Sequence, residues 1–296
     1  MPELPEVETV RRGLAELIIG KTVAGAVVYD SPKSFPNAQH DIEQFLYGAT
    51  ITAVRRRAKV LLIDLSSAYT LVIHLKMTGQ LVYRGDQVFG AGHPTDSLIG
   101  ELPDRSTRVM IEFSDTSRLY FNDQRKFGWV KLVATALVPA LDFMQKVGPE
   151  PLDESFTAEV LWGRLQRRKN TTIKAAILDQ TVLAGVGNIY ADEGLWGAKI
   201  HPATRVKDVN KEAVTLLWRE LREVMNLAIE KGGSTDKNYV NAEGKRGSYM
   251  DFARVFRREG QTCLRHPDVV ISKTKVAGRG THLCPECQPV PHSSNS

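Results

Sequence analysis

Cysteine is scarce in this chain: its 296 residues hold three, all after residue 260. That is too few for a disulfide framework, and thiols grouped this closely are usually metal ligands in a reducing compartment. Long apolar runs are missing too, which excludes a membrane-spanning helix. The N-terminus is acidic and amphipathic where a secretory signal would be basic and then apolar, so the expected location is the cytoplasm. There is no internal repeat and no low-complexity tract. What is present, 42% hydrophobic and 25% charged residues, is the make-up of a globular protein long enough for two cores. The net charge of +5 is mild, yet the cations cluster at Arg55-Arg56-Arg57-Ala58-Lys59, at Arg164 to Lys169 and around Lys273, Lys275 and Arg279. That clustering favours a polyanionic partner over an acidic small molecule.

The chain opens Pro2-Glu3-Leu4-Pro5-Glu6-Val7. Methionine is normally trimmed ahead of a residue as small as proline, which would leave Pro2 as a secondary amine with a pKa of about 8. Val7, Val10, Leu14, Leu17 and Ile18 recur at helical spacing, so Pro2 and Glu3 enter an amphipathic helix, with Glu6 one turn on from Glu3. The positive end of that helix favours the neutral amine and the anionic carboxylates. Amine attack on a carbon electrophile, with a carboxylate moving protons, is a coherent mechanism. A proline-led helix start with acidic residues in its first turn accounts for the same spacing without any chemistry.

Short β-rich stretches follow at 22–29, 51–65, 70–76, 80–83, 109–113, 118–121 and 128–133, predicting an antiparallel sandwich or barrel, with 90–104 as a long loop. Gly148-Pro149-Glu150-Pro151 reads as a hinge. Helices are expected at 156–166, 173–178, 188–196 and 211–230, the last stopped by Gly232-Gly233. The Gly-, Asn- and Ser-rich stretch 234–249 is a long loop. The expected division is 1–134, a linker at 135–155, a helical domain at 156–250, a cysteine-bearing module at 251–290 and a disordered tail at 291–296.

Cys263-x-x-His266 and Cys284-x-x-Cys287 have the paired spacing of a closed structural zinc site. Four protein donors leave no position for a catalytic water, so one zinc ion is expected to hold shape. His282 is a competing donor but lacks the paired spacing. Val269 to Ser272 and Thr281 to Cys284 read as two strands around a Gly278-Arg279-Gly280 tip, which would present Arg279 to a phosphate or an extruded base. The strand period places Arg55, Arg57 and Lys59 on one face, followed by an apolar continuation from Val60. Gly185-Val186-Gly187-Asn188 before a helix suits a phosphate grip but lacks the strand of a dinucleotide fold.

Together, the opening PELPEVETV, the stretch DQTVLAGVGNIYADE from Asp179 to Glu193, the Gly232-Gly233-Ser234-Thr235 loop start and the zinc module closely resemble the formamidopyrimidine-DNA glycosylase (Fpg) family over nearly the whole chain. The resemblance implies an α+β fold: an N-terminal β-sandwich with an N-terminal helix, then a helix-two-turns-helix domain ending in a zinc-finger hairpin, with damaged duplex DNA bound between them by a monomer. It implies a bifunctional glycosylase and abasic-site lyase that excises oxidised purines. Pro2 would attack the sugar carbon bearing the damaged base, Glu3 would shuttle protons and Glu6 would support it. By the same resemblance Lys59 donates a proton and contacts a phosphate, and Arg279 serves the second elimination. Met77, Arg125 and Phe127 occupy wedge positions that fill the gap left by a flipped base. Lys169 and Asn188 align with phosphate contacts, and 234–249 aligns with the loop that closes over the lesion.

Two features depart from the family pattern. His266 stands where a fourth cysteine is common, and Ser106-Thr107-Arg108 stands where relatives often carry histidines facing DNA. Arg108 is then the charge available for that contact. Two other readings stay open at this level: a Nei-type enzyme for oxidised pyrimidines, and a binder of damaged DNA without catalysis.

Overall fold

The computed structural model describes residues 1–93, 95–233 and 248–290. The chain forms two compact units, Met1–Gln145 with Ala228–Tyr249, and Lys146–Leu227 with Met250–Ser296.

The first unit begins with helix α1 (Leu4–Ile18), followed by β1 (Val23–Val28), α2 (Gln39–Phe45) and eight further strands: β2 (Ile51–Arg57), β3 (Val60–Leu65), β4 (Tyr69–His74), β5 (Gly79–Arg84), β6 (Val88–Gly92), β7 (Thr107–Phe113), β8 (Arg118–Asp123) and β9 (Trp129–Ala134). They form two antiparallel sheets, ordered β1-β7-β8-β5-β6 and β2-β3-β4-β9. The apolar stripe of α1 (Val7, Val10, Leu14 and Ile18) is fully buried in one core with side chains of both sheets, among them Ile63, Ile73, Phe89, Val109 and Phe121. Burial of each such side chain contributes about 1.5–3 kcal/mol. Gly13 is required where α1 meets β6, because a Cβ there would lie 2.3 Å from the Phe89 ring. The short helix α3 (Asp142–Lys146) closes the segment, and Phe143 and Met144 cover Val60, Leu62 and Val72 on the outer face of the four-stranded sheet.

The expected sandwich is present. Its details differ from expectation at two places. The stretch 51–65 is a hairpin, with Arg57 paired to Val60 and Ala58 in the left-handed region at φ 52. A tight turn built from Ala-Lys, without the usual Asn or Gly, gives no local turn signal. Part of the loop expected at 90–104 is strand β6, whose glycines obscure the alternation and whose Gly90 lies flush against the Leu98 backbone.

In the second unit, α4 (Ala158–Leu165) is capped by the Thr157 hydroxyl and α5 (Ile173–Leu178) by that of Thr172, each accepting from a backbone N–H. Helix α6 (Asn188–Gly197) lies on α7 (Lys211–Glu230), where Val214, Leu217, Leu221, Val224 and Met225 are buried. Gly194 and Gly197 permit that approach: a Cβ on either would fall within 2.6 Å of Leu221 or Glu220. Strands β10 (Ser272–Val276) and β11 (Arg279–Leu283) form an antiparallel hairpin. Its strands are set slightly differently from expectation, with Ala277-Gly278 as the turn and Arg279 as the first residue of β11, opposite Val276. The fully buried Glu193 carboxylate on α6 accepts from the backbone N–H groups of Arg254, Val255 and Phe256, fixing the start of the finger segment.

The division expected from sequence puts 156–250 in one domain. The structure instead groups Ala228–Tyr249 with the N-terminal unit. A Cβ on Gly233 would lie 3.3 Å from Glu6 Cγ, and the fully buried Tyr249 donates its N–H to the Gly233 carbonyl at 2.9 Å. Residues 234–247, most of the expected lesion loop, lie outside the described residues, as does the tail at 291–296.

Candidate active site and zinc centre

Pro2 is buried under an exposed Met1, directly before α1. Glu3 is the N-cap residue, and the Glu6 carboxylate accepts from the Glu3 N–H at 2.8 Å, completing a capping box. Both carboxylates are almost fully buried, at 3% and 4% exposure. Buried anions at a helix N-terminus gain from its positive end and its unpaired N–H groups.

Lys59 is also buried, at the turn of the β2–β3 hairpin. This corrects the strand-face expectation: Arg55 and Arg57 lie on β2, whereas the turn separates Lys59 from them. The turn is tied to α1 by Arg56, which donates Nη1 to the Ala58 carbonyl (3.0 Å) and Nε to Glu8 (3.1 Å). Burial pushes the Glu8 carboxyl up, but hydrogen bonds from Arg11 and Arg12 and the charge of Arg56 hold it below its ordinary value.

His74, absent from the residues singled out by sequence, ends β4 opposite Val60. Burial, with the charges of Lys76 and Lys59, lowers its imidazole to about 3, and its Nδ1 accepts the Lys76 N–H at 3.0 Å. The only local signal is a histidine at the end of an apolar strand. Because this pKa is depressed on folding, the unfolded chain binds the proton more readily. Stability should therefore fall as pH drops from 6.5 toward about 3. In His74→Asn that part of the pH dependence should flatten, as denaturant melts across the interval would show.

Met77 lies in the turn between β4 and β5, and Arg125 and Phe127 in the loop between β8 and β9. Met77 is 38% and Phe127 54% exposed, and the exposed Arg125 guanidinium stacks over the Phe127 ring at 4.7 Å. Exposed apolar side chains on tight loops carry no burial benefit in the free protein. Arg108 does not join them. It is 3% exposed, with its guanidinium hydrogen-bonded to Asp30, to the Asp123 carbonyl and to the Arg105 carbonyl. The expectation of a DNA-facing Arg108 is thus corrected: β7 directs this side chain inward.

In the second unit Gly185 has φ +78 and Gly187 is the N-cap of α6. Asn188 begins that helix and donates Nδ2 to the Gly280 carbonyl of the hairpin at 2.9 Å. Lys169 is exposed, and its carbonyl accepts the Lys207 N–H. Arg279 is exposed beside the hairpin turn.

The donor atoms of Cys263, His266, Cys284 and Cys287 lie within 4.8 Å of one another. His266 Nδ1 is 3.2 Å from Cys287 Sγ, and the sulfurs of Cys263 and Cys287 are 3.7 Å apart. Zinc–sulfur bonds of about 2.3 Å in a tetrahedron require sulfurs at about this spacing. The N–H groups of Arg265 and Cys287 point at Cys263 Sγ and Cys284 Sγ, each at 3.4 Å, as donors that stabilise bound thiolates do. His282 is outside the cluster; its Nδ1 lies 3.3 Å from Asp192. The set thus fits zinc, which would organise residues 263–287.

A capped, proline-led acidic helix on an antiparallel sandwich, with a helical unit carrying a three-cysteine, one-histidine finger, defines a zinc-finger protein of the kind that works on nucleic acid. Residues 1–130 match the formamidopyrimidine-DNA glycosylase N-terminal domain, 147–239 the corresponding H2TH domain, and 269–290 the zinc finger found in FPG and IleRS. The chain is 40% identical to the formamidopyrimidine-DNA glycosylase of Pelotomaculum thermopropionicum, covering 98% of this chain and all of the relative. It is 42% identical to that of Pediococcus pentosaceus, covering 97% and 99%. A crystal structure of a Lactococcus lactis Fpg mutant with Fapy-dG-containing DNA aligns with a TM-score of 0.85 at 33% identity, over 98% of this chain and all of that one. Another, of Lactococcus lactis Fpg with abasic-site DNA, gives 0.85 over 97% of this chain. This chain belongs to the formamidopyrimidine-DNA glycosylase family.

Proposed function

We propose that this protein is a bifunctional DNA repair glycosylase that excises oxidised purines, such as 8-oxoguanine and formamidopyrimidines, from duplex DNA and then cleaves the abasic strand. The observation that carries the reading is the burial of Pro2 beside Glu3 and Glu6 at the N-terminus of α1, in a chain of this family. Once Met1 is removed, the Pro2 nitrogen is a secondary amine with a pKa of about 8, so roughly a tenth of it is neutral and nucleophilic at pH 7. It attacks the sugar C1′ as the damaged base leaves with the bonding electrons; the nitrogen then gives up its proton and its lone pair expels O4′, which takes a proton relayed by Glu3 as the sugar ring opens. The resulting iminium withdraws electrons from the sugar, so that abstraction of a C2′ proton expels the 3′ phosphate and a second elimination expels the 5′ phosphate. A secondary amine suits the sequence because its iminium keeps a permanent charge.

In this reading Glu6 fixes Glu3 through the capping box, Lys59 and Arg279 meet phosphates and assist proton transfer, and Lys169 and Asn188 grip the backbone. Met77, Arg125 and Phe127 fill the space left by the extruded base. The zinc is structural, since four protein donors complete its coordination. In this reading the enzyme acts as a monomer on chromosomal DNA in the bacterial cytoplasm.

Borohydride reduces an iminium to a stable amine, so lesion duplex and borohydride together should yield a covalent protein–DNA adduct joined through Pro2. Pro2→Ala should lower strand cleavage by at least about a hundredfold. No trapped adduct, or cleavage undiminished when the terminus is acetylated, would refute the mechanism. A second substrate class has one specific observation behind it. A Lactococcus lactis Fpg structure at 33% identity holds DNA containing an oxidised pyrimidine. Comparing single-turnover cleavage of 8-oxoguanine and thymine glycol duplexes ranks the two.

A further inference from the structure

The loops bearing Met77 and Arg125–Phe127 are joined by a single buried carboxylate. Asp123 ends β8, paired with Gly79 at the start of β5, and is fully buried. Its Oδ1 accepts from the Thr78 hydroxyl in one loop and from the Arg125 N–H (3.2 Å) in the other, while Oδ2 accepts the Gly128 N–H at 2.6 Å. Thr78 Oγ1 also accepts from the Arg125 N–H, at 3.1 Å. No larger residue fits at Gly128, where a Cβ would lie 2.7 Å from the Phe121 ring and 3.1 Å from Asp123 Oδ2.

Behind Asp123 sits Arg108. Its Nε donates to the Asp123 carbonyl at 2.8 Å and its Nη1 to Asp30 Oδ1 at 2.6 Å. Asp30 Oδ2 in turn accepts from Lys126 Nζ at 2.8 Å. Lys126 stands between Arg125 and Phe127 in the left-handed region, at φ 58. Arg108 therefore reaches both ends of the loop: its base through the Asp123 carbonyl, and its apex through Asp30 and Lys126.

We infer that Asp123 and Arg108 are positioning residues that brace the two loops, so that Met77, Arg125 and Phe127 reach DNA already assembled as one wedge. The inference rests on the wedge reading under Proposed function. Ordering side chains before they meet DNA lowers the cost of inserting them. It also gives the departure at Ser106-Thr107-Arg108 a role: the arginine acts from beneath the wedge rather than on a phosphate.

The test uses the full-length protein, a duplex carrying 8-oxoguanine and a 2-aminopurine reporter beside the lesion. Wedge insertion is read from the fluorescence rise and excision from single-turnover cleavage. Asp123→Asn and Arg108→Met should slow both by about ten- to a hundredfold, since each removes hydrogen bonds to a buried charge. Affinity for undamaged duplex and its salt slope should stay as in the wild type. If Arg108 instead neutralised a phosphate, its replacement would lower that slope by about one. Asp30→Asn changes a side chain that is 63% exposed, so it should melt with the wild type and still slow insertion measurably.

A reduced salt slope with normal insertion in Arg108→Met would overturn the brace, as would wild-type insertion and excision in both Asp123→Asn and Asp30→Asn. Met77→Ala and Phe127→Ala, measured in parallel, separate the two readings. If they also insert and excise normally, the wedge reading fails. If they are slow while the brace variants are not, only the brace fails.

Discussion

Chelation of the zinc should unfold the finger and abolish lesion binding while the N-terminal sandwich keeps its own unfolding transition. The small apolar cluster around the site consists of Trp196, Val255, Ile271 and the three cysteines, with Val269 against it. So few side chains cannot offset the chain entropy of ordering residues 263–287. Structural zinc supplies about 10–16 kcal/mol of apparent binding free energy in finger peptides near pH 7, and that free energy becomes folding free energy. Arg265 couples the finger to α6: its guanidinium lies 3.8 Å over the Trp196 ring and donates to the Trp196 carbonyl, an acceptor at the helix C-terminus. Hydrogen exchange should therefore show the loss spreading from 263–287 to the end of α6, and added zinc should reverse it. Retained protection across the finger in a strong chelator would show that the four donors hold no essential metal.

Lys174→Met should destabilise the second unit by about 3–5 kcal/mol, the usual cost of leaving one partner of a buried ion pair alone. The ammonium and the Asp192 carboxylate are both fully buried, 2.6 Å apart. Lys174 Nζ also donates to Thr281 Oγ1 at 2.7 Å and to the Gly280 carbonyl at 3.2 Å, and Asp192 Oδ2 accepts the His282 N–H at 2.9 Å. The pair thus joins α5 and α6 to strand β11, beside Arg279. A loss of this size should lower the melting temperature by about 10 °C. Combining Lys174→Met with Asp192→Asn should recover part of it, because no uncompensated charge then remains. Equal destabilisation in the single and double variants would mean that the cost lies in packing rather than in the pair.

Much of this is legible in the order of residues alone, and the reason differs from element to element. The stripe from Val7 to Ile18 repeats with the helical period, and Gly232-Gly233 stops α7 by its own backbone preferences. The paired Cys263, His266, Cys284 and Cys287 announce a tetrahedral site because coordination chemistry restricts donor type and spacing. The family likewise follows from the run of motifs, PELPEVETV first among them. All of these signals are local, carried by residues a few positions apart.

What stays hidden depends on partners distant in the chain. The Ala58-Lys59 turn carries no turn residue and is set by the pairing of β2 with β3 and by Arg56 reaching Glu8. Nothing in Ser106-Thr107-Arg108 indicates that its arginine faces Asp30 and the Asp123 carbonyl, since inward or outward direction is decided by which sheet face β7 presents. The burial of Lys174 defies the ordinary rule for lysine, and only the meeting of α5, α6 and β11 supplies the oxygens that make it tolerable. The sequence by itself determined the chemical groups, the helices and the metal donors, which rest on short-range stereochemistry. Tertiary structure alone decided which charges turn inward to brace the fold and which remain exposed, because a charge is buried only where the rest of the chain encloses it with partners.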